Sequence, residues 1–209
     1  MPIPDDVLKT LEPLPLDKIM GRIHDGDLLL YSGDAAFSRL IAWSTKSPWS
    51  HIAMVFRWPA IGRVMVFESV EKIGVRTLPL EHFLLRNIEG RRPYPGKVIL
   101  ARHAQVTERL GERGSPAAKR LADFAIDRFG YPFAPGEIAK IGMRIALSAV
   151  NVRLPKELGP KDEFICSEYV GKCLETLDIQ IPWDGLGFLA PCDFANCEAV
   201  HALAQFKIR

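Results

Sequence analysis

Among the side chains able to do covalent chemistry, Cys166 is the first to consider, because it lies in D-E-F-I-C-S-E-Y-V-G-K-C-L, a helical pattern that Asp162 is placed to cap. In the first turn of a helix, unpaired backbone N–H groups and the positive end of the dipole favour a thiolate over a thiol. Cys173, further along the same apolar stripe, reads instead as a buried, inert thiol. A thiolate nucleophile needs an imidazole to exchange its proton. Of the five histidines, His51 opens the strand S-H-I-A-M-V-F directly after a turn, where a rigid backbone meets solvent. His24, His82, His103 and His201 have polar or helical surroundings and read as surface or satisfied core residues. The third role is to accept a hydrogen bond from the far imidazole nitrogen and fix the ring. A hairpin folded about Pro59-Ala60 sets Glu68 directly across the ladder from His51, on the same sheet face. That geometry depends on register, since a slip of one residue turns Glu68 to the other face. Glu168, two positions after Cys166 on a helix, points roughly 200° away from the sulfur.

Cys, His and a carboxylate in these roles would attack a carbonyl and pass through a thioester. The backbone N–H of Cys166 is the expected first donor to the oxyanion, and Tyr31 is the candidate for a second. Trp43, Trp49, Tyr131 and Phe133 are candidates for the wall of an apolar substrate groove.

The elements that must position these residues follow from periodicity. Asp27 to Tyr31 reads as a buried strand, Ala35 to Trp43 as a helix, and Lys46-Ser47-Pro48 as the turn before His51. Two β-rich runs, His51 to Trp58 and Arg63 to Val70, flank Pro59-Ala60-Ile61-Gly62, and further strands are expected at Val75 to Leu80 and Lys97 to His103. The second half changes period. Ser115-Pro116 starts a helix that Gly130 closes, a second spans Glu137 to Val150, and a third begins near Asp162 with Ile165, Tyr169, Cys173 and Leu177 on one stripe. Strands followed by helices argue for an α+β fold, an antiparallel sheet packed against helices, in one domain over 1–209. Residues 1–25 read as an N-terminal extension and 110–155 as a helical elaboration.

Composition narrows the function classes. With 27 basic and 25 acidic residues well mixed, the chain carries no electrostatic footprint for nucleic acid beyond Arg86, Arg91 and Arg92, a stretch that reads as a solvated loop. The four cysteines lack the paired knuckles of a zinc site, so no metal and no cofactor is expected. The acidic, proline-bearing start M-P-I-P-D-D-V-L has no basic segment ahead of an apolar run, which reads as no secretory leader and a cytoplasmic protein. The longest apolar stretch, 138–154, is broken by Lys140, Arg144, Asn151 and Arg153; it fits core packing with a solvated edge better than contact with a membrane surface. The expected partner is a small-molecule, peptide or lipid acyl substrate.

Taken in order, G-D-L-L-L at 26–30, W-S-H-I-A-M-V at 49–55, F-E-S at 67–69 and F-I-C-S-E-Y at 164–169 resemble the permuted NlpC-type papain-like cysteine hydrolases, the YiiX/YaeF-like group. Gly130-Tyr131-Pro132-Phe133 and Ala190-Pro191-Cys192-Asp193 also resemble segments this group carries before and after its cysteine. In the unpermuted relatives the cysteine helix comes first; the reversed order here is the mark of the permuted branch. The resemblance implies a papain-like α+β domain with Cys166, His51 and Glu68 acting on amide or ester bonds. Through similarity to lecithin:retinol acyltransferases it also implies lipid acyl transfer or esterase action as an alternative, and a catalytically silent binding module on the same scaffold stays open.

Overall fold

The computed structural model describes residues 3–33, 36–71, 73–86, 96–133, 164–183 and 188–208. Its centre is β2 (Asp27–Ser32), an apolar run whose first five residues are fully buried. A strand buried on both faces needs no polar alternation, which is why D-L-L-L-Y-S reads as continuous. β3 (His51–Trp58) and β6 (Lys97–His103) pair antiparallel with it on either side. β4 (Arg63–Val70) and β5 (Gly74–Pro79) extend the sheet beyond β3. On the other side β7 (Val200–Phe206) pairs antiparallel with β6, and β1 (Pro13–Leu14) pairs parallel with β7. The seven strands thus run β1-β7-β6-β2-β3-β4-β5, antiparallel except at one edge, and the fold is α+β.

Helices cover both faces. Leu28, Leu30, Ile52, Met54 and Phe67 pack against Tyr169, Val170, Cys173 and Leu174 of the late helix Cys166–Glu175, together with Leu121 and Ala125 of the helix Pro116–Ile126. Leu29, Tyr31, Ala53, Val55, Val64 and Val66 point the other way and meet Phe83 and Leu84 of the helix Leu80–Arg86, along with Ile19 and Ile23. Among the described residues the α-helices are, in chain order, α1 (Val7–Thr10), α2 (Leu16–Ile19), α3 (Ala36–Thr45), α4 (Leu80–Arg86), α5 (Val106–Leu110), α6 (Pro116–Ile126), α7 (Cys166–Glu175) and α8 (Pro191–Asn196).

Several expectations change. Residues 3–23 pack against the rest of the fold: Ile3, Val7, Leu8, Ile19 and Ile23 are buried, and the Ile3 N–H donates to the Ala195 carbonyl at 2.7 Å. α6 starts as its sequence dictates, with the Ser115 hydroxyl accepting from the Ala118 N–H and Pro116 in the first turn, but it ends at Ile126 and leaves the chain to turn before Gly130 at φ +86. α7 begins at Cys166, with extended Ile165 as the capping residue and no side-chain cap. Asp162 and the expected helix from Glu137 to Val150 lie outside the described residues. Among the described residues no helix is long and apolar enough to cross a membrane.

Candidate functional site

The position of His51 is set by the turn before it. Trp49 is fully buried, and Ser50 is tied down twice: its N–H donates to the Tyr31 carbonyl at 2.8 Å and its hydroxyl accepts from the Gly33 N–H at 3.0 Å. The position of Cys166 is set by three hydrogen bonds around the start of α7. The buried Ser69 hydroxyl donates to the Phe164 carbonyl at 2.6 Å, the Phe164 N–H donates to the Pro132 carbonyl at 3.3 Å, and the Ser167 hydroxyl donates to the Leu189 carbonyl at 2.6 Å. These ties lay the N-terminus of α7 across β3 and β4, with Cys166 hydrogen-bonded to His51. The other side of the imidazole meets Glu68, with Nε2 at 2.8 Å from Oε2. Cys166, His51 and Glu68 therefore form a continuous chain of contacts, in which the His51 side chain is 19% exposed and that of Glu68 only 1%.

Glu68 arrives by a different register from the one expected. Trp58 pairs with Arg63 and Met54 with Phe67, so the strands are joined by the four residues Pro59 to Gly62 and the same register carried on sets Glu68 beside Ala53. The slip is two residues rather than one, so the carboxylate keeps its face and reaches His51 diagonally. Directly opposite Glu68 stands Arg76 of β5, a residue the sequence reading missed. Its Nε and Nη2 both donate to Glu68 Oε1, at 2.9 and 2.6 Å. The signal was present in the short loop between Val70 and Gly74, which puts a cation across from the acid once the register is known.

The three groups shift one another's protonation. Burial favours the thiol of Cys166, but the charge and hydrogen bond of His51, helped by the backbone N–H groups of Ile52 and Ser167, draw its pKa below the ordinary value. Burial likewise opposes the imidazolium, yet Cys166 and then Glu68 push the His51 pKa up to about 10. The Glu68 carboxyl is held below its usual range, with burial overcome by His51 and Arg76. These shifts favour a thiolate–imidazolium pair over the neutral pair, with the Glu68 carboxylate behind it. Cys173 differs: burial drives its pKa upward, out of reach of neutral pH, as an inert core thiol requires.

The other expected site residues are placed elsewhere. Tyr31 is fully buried and its ring lies 5.1 Å from the imidazole and 4.8 Å from Phe83, so it walls His51 and presents no surface to an oxyanion. Trp49 belongs to the core and cannot line a groove. Phe133 is packed with Ile165, Phe188, Ala190 and Cys192 in a small apolar cluster, while half-buried Tyr131 stacks on Phe164. Trp43 is 71% exposed on α3. A groove of about 850 Å³ runs between the β3–β4 hairpin and α5–α6, over Phe56, Trp58, Met65, Phe67 and Ile126, and none of Cys166, His51 and Glu68 lines it.

No protein-family model matches the chain, and no curated protein sequence matches it. A solved structure does: the metalloprotein YiiX from Escherichia coli O157:H7, a DUF1105 protein, superposes with a TM-score of 0.58 at 17% identity, over 87% of this chain and 97% of that one. Among the described residues no group of three or more His, Cys, Asp or Glu side chains is placed to hold a metal ion. Cys166 and His51 would supply two donors, but both Glu68 oxygens are already engaged by Arg76 and His51, so these residues do not fit a metal site. What the chain shares with YiiX, at this level of identity, is the fold.

Proposed function

We propose that the chain is a thiol hydrolase of amide or ester bonds, on a papain-like core in permuted order, with Cys166 as nucleophile, His51 as proton carrier and Glu68 as the group that orients it. The observation that supports this reading is the imidazole held between the Cys166 sulfur and the Glu68 carboxylate, at the mouth of a helix. The Cys166 thiolate attacks the substrate carbonyl and a carbon–sulfur bond forms. His51 gives its proton to the departing nitrogen or oxygen as that bond breaks. Neutral His51 then takes a proton from water, whose hydroxide expels the sulfur and regenerates the pair. Glu68 stays ionised throughout, because burial of its neutral form would leave Arg76 unpaired. The Cys166 N–H lies at the first position of α7, has no partner within the helix, and is the first oxyanion donor; loss of one such donor typically lowers the rate ~10²-fold or more.

Alkylation by iodoacetamide at neutral pH, read by peptide mass, tests the pair. Cys166 is expected to react far faster than Cys173, Cys192 and Cys197, and His51→Ala to abolish the difference. Uniform slow labelling of all four thiols would sink the hydrolase reading and leave a binding module. Intact mass after exposure to acyl esters and amides then identifies the acyl group held as a thioester, and its release to water or to a second acceptor separates hydrolysis from acyl transfer.

A further inference from the structure

Arg76 enters the mechanism above only as the partner that keeps Glu68 charged, yet it holds that carboxylate by two hydrogen bonds, at 2.6 and 2.9 Å. It stands opposite Glu68 on the β4–β5 ladder and directs two donors at a single oxygen, Oε1, which leaves Oε2 for His51 Nε2. With Nε2 so engaged, the ring nitrogen left for Cys166 is Nδ1. Two donors of one rigid guanidinium converging on Oε1 hold that oxygen from a fixed direction as well as neutralising it, which a freely rotating ammonium does not.

We propose that Arg76 is a positioning residue of this site, locking the Glu68 carboxylate so that His51 is aimed at Cys166 and the thiolate–imidazolium pair is maintained. The inference rests on the thiol reading of Cys166 and His51 given above. The charged and titratable groups that act on one another here are Cys166 from α7, His51 from β3, Glu68 from β4 and Arg76 from β5. With Arg76 in place they sum to zero charge when the sulfur is ionised. Without it one negative charge is left over in a site where Glu68 is 1% exposed. Burial does not tolerate that excess, so either Glu68 or Cys166 takes up a proton. Both outcomes reduce the thiolate at a given pH, the first by weakening the hold on the imidazolium and the second directly.

The test is the rate of Cys166 alkylation by iodoacetamide as a function of pH, in wild type, Arg76→Gln, Arg76→Lys and the double variant Glu68→Gln/Arg76→Gln. Arg76→Gln is expected to move the rising limb up by about one pH unit and so to slow labelling about tenfold at any pH on that limb. Arg76→Lys, which keeps charge but not the fork, is expected to fall between that variant and wild type. The double variant leaves no unpaired charge buried, so it is the one that keeps its fold if Arg76→Gln does not, and it is expected to stay slow. A rising limb at the wild-type pH in Arg76→Gln would overturn the proposal, as would a double variant that reacts at the wild-type rate. So would an equal fall at every pH, which is the signature of a merely loosened site. Failure of wild-type Cys166 to outpace Cys173 is a separate result and strikes the hydrolase reading itself.

Discussion

Removing the His51 imidazole takes a hydrogen bond from Cys166 and one from Glu68 together, so its effect on reactivity has a defined shape in pH. In wild type the alkylation rate is expected to rise at a lower pH than that of an ordinary thiol of pKa 9.0. In His51→Ala the limb moves up toward that ordinary value, and the rate at neutral pH falls by about ten- to a hundredfold. Turnover has a second limb. In the proposed mechanism His51 carries a proton to the leaving group, so activity is expected to fall as pH rises through about 10, measured as kcat against pH on whichever acyl donor is accepted. The same shifts link to stability. His51 binds its proton more tightly folded than unfolded, so its contribution is complete below about pH 6.5 and is lost as pH climbs through about 10. Glu68 runs the other way, contributing fully above 4.5 and losing that as pH falls through its lowered folded value. Thermal melts of wild type and Glu68→Gln across pH 3 to 6 check the second sign: the two curves should converge toward acid.

At the scale of elements, the site depends on where α7 and β5 are fastened. Gly74 opens β5 at φ +87, and a Cβ there would meet the Tyr131 carbonyl oxygen at 2.1 Å, the same oxygen that accepts the Val75 N–H at 2.8 Å. Gly74→Ala combines positive-φ strain with a backbone clash and is expected to destabilise by about 1–3 kcal/mol or more, read by urea unfolding. Ser69→Ala removes the tie between β4 and the Phe164 carbonyl inside the core, leaving a buried acceptor unpaired at a cost of roughly 1–3 kcal/mol. Its labelling rate at Cys166 should fall as well, because Phe164 stands two residues before the sulfur. The central strands could be read from sequence because β3, β4 and β6 are apolar runs bounded by turn residues, and their ends fall where expected. β1 and β7 could not be read: a two-residue strand has no period, and V-H-A-L-A-Q-F pairs mainly through its backbone along β6. His51, Cys166 and Glu68 could be placed together because their types and element positions carry the signal. Arg76 was lost because cross-strand partners depend on register, and the burial of Trp49 and Tyr31 was not legible because spacing does not say which aromatic rings the core takes.

For the whole molecule, the sheet separates two apolar layers, and the N-terminal segment contributes to both, Ile3, Val7 and Leu8 to one and Ile19 and Ile23 to the other. Deleting residues 1–12 withdraws three buried side chains from the first layer, each worth about 1.5–3 kcal/mol, and for a chain of this size Tm should fall by roughly 10 °C or more in a calorimetric scan. An unchanged Tm would return that segment to the status of an appendage. The placement of His51 on an early strand and Cys166 on a late helix has a further consequence. Neither half of the polypeptide carries the proposed reagent by itself: a nascent or partly denatured chain holds four ordinary sulfhydryls, and on the proposed reading a reactive sulfur arises only when distant segments have docked. If Cys166 is reactive as proposed, rapid capture of an electrophile is thereby a clock for tertiary assembly.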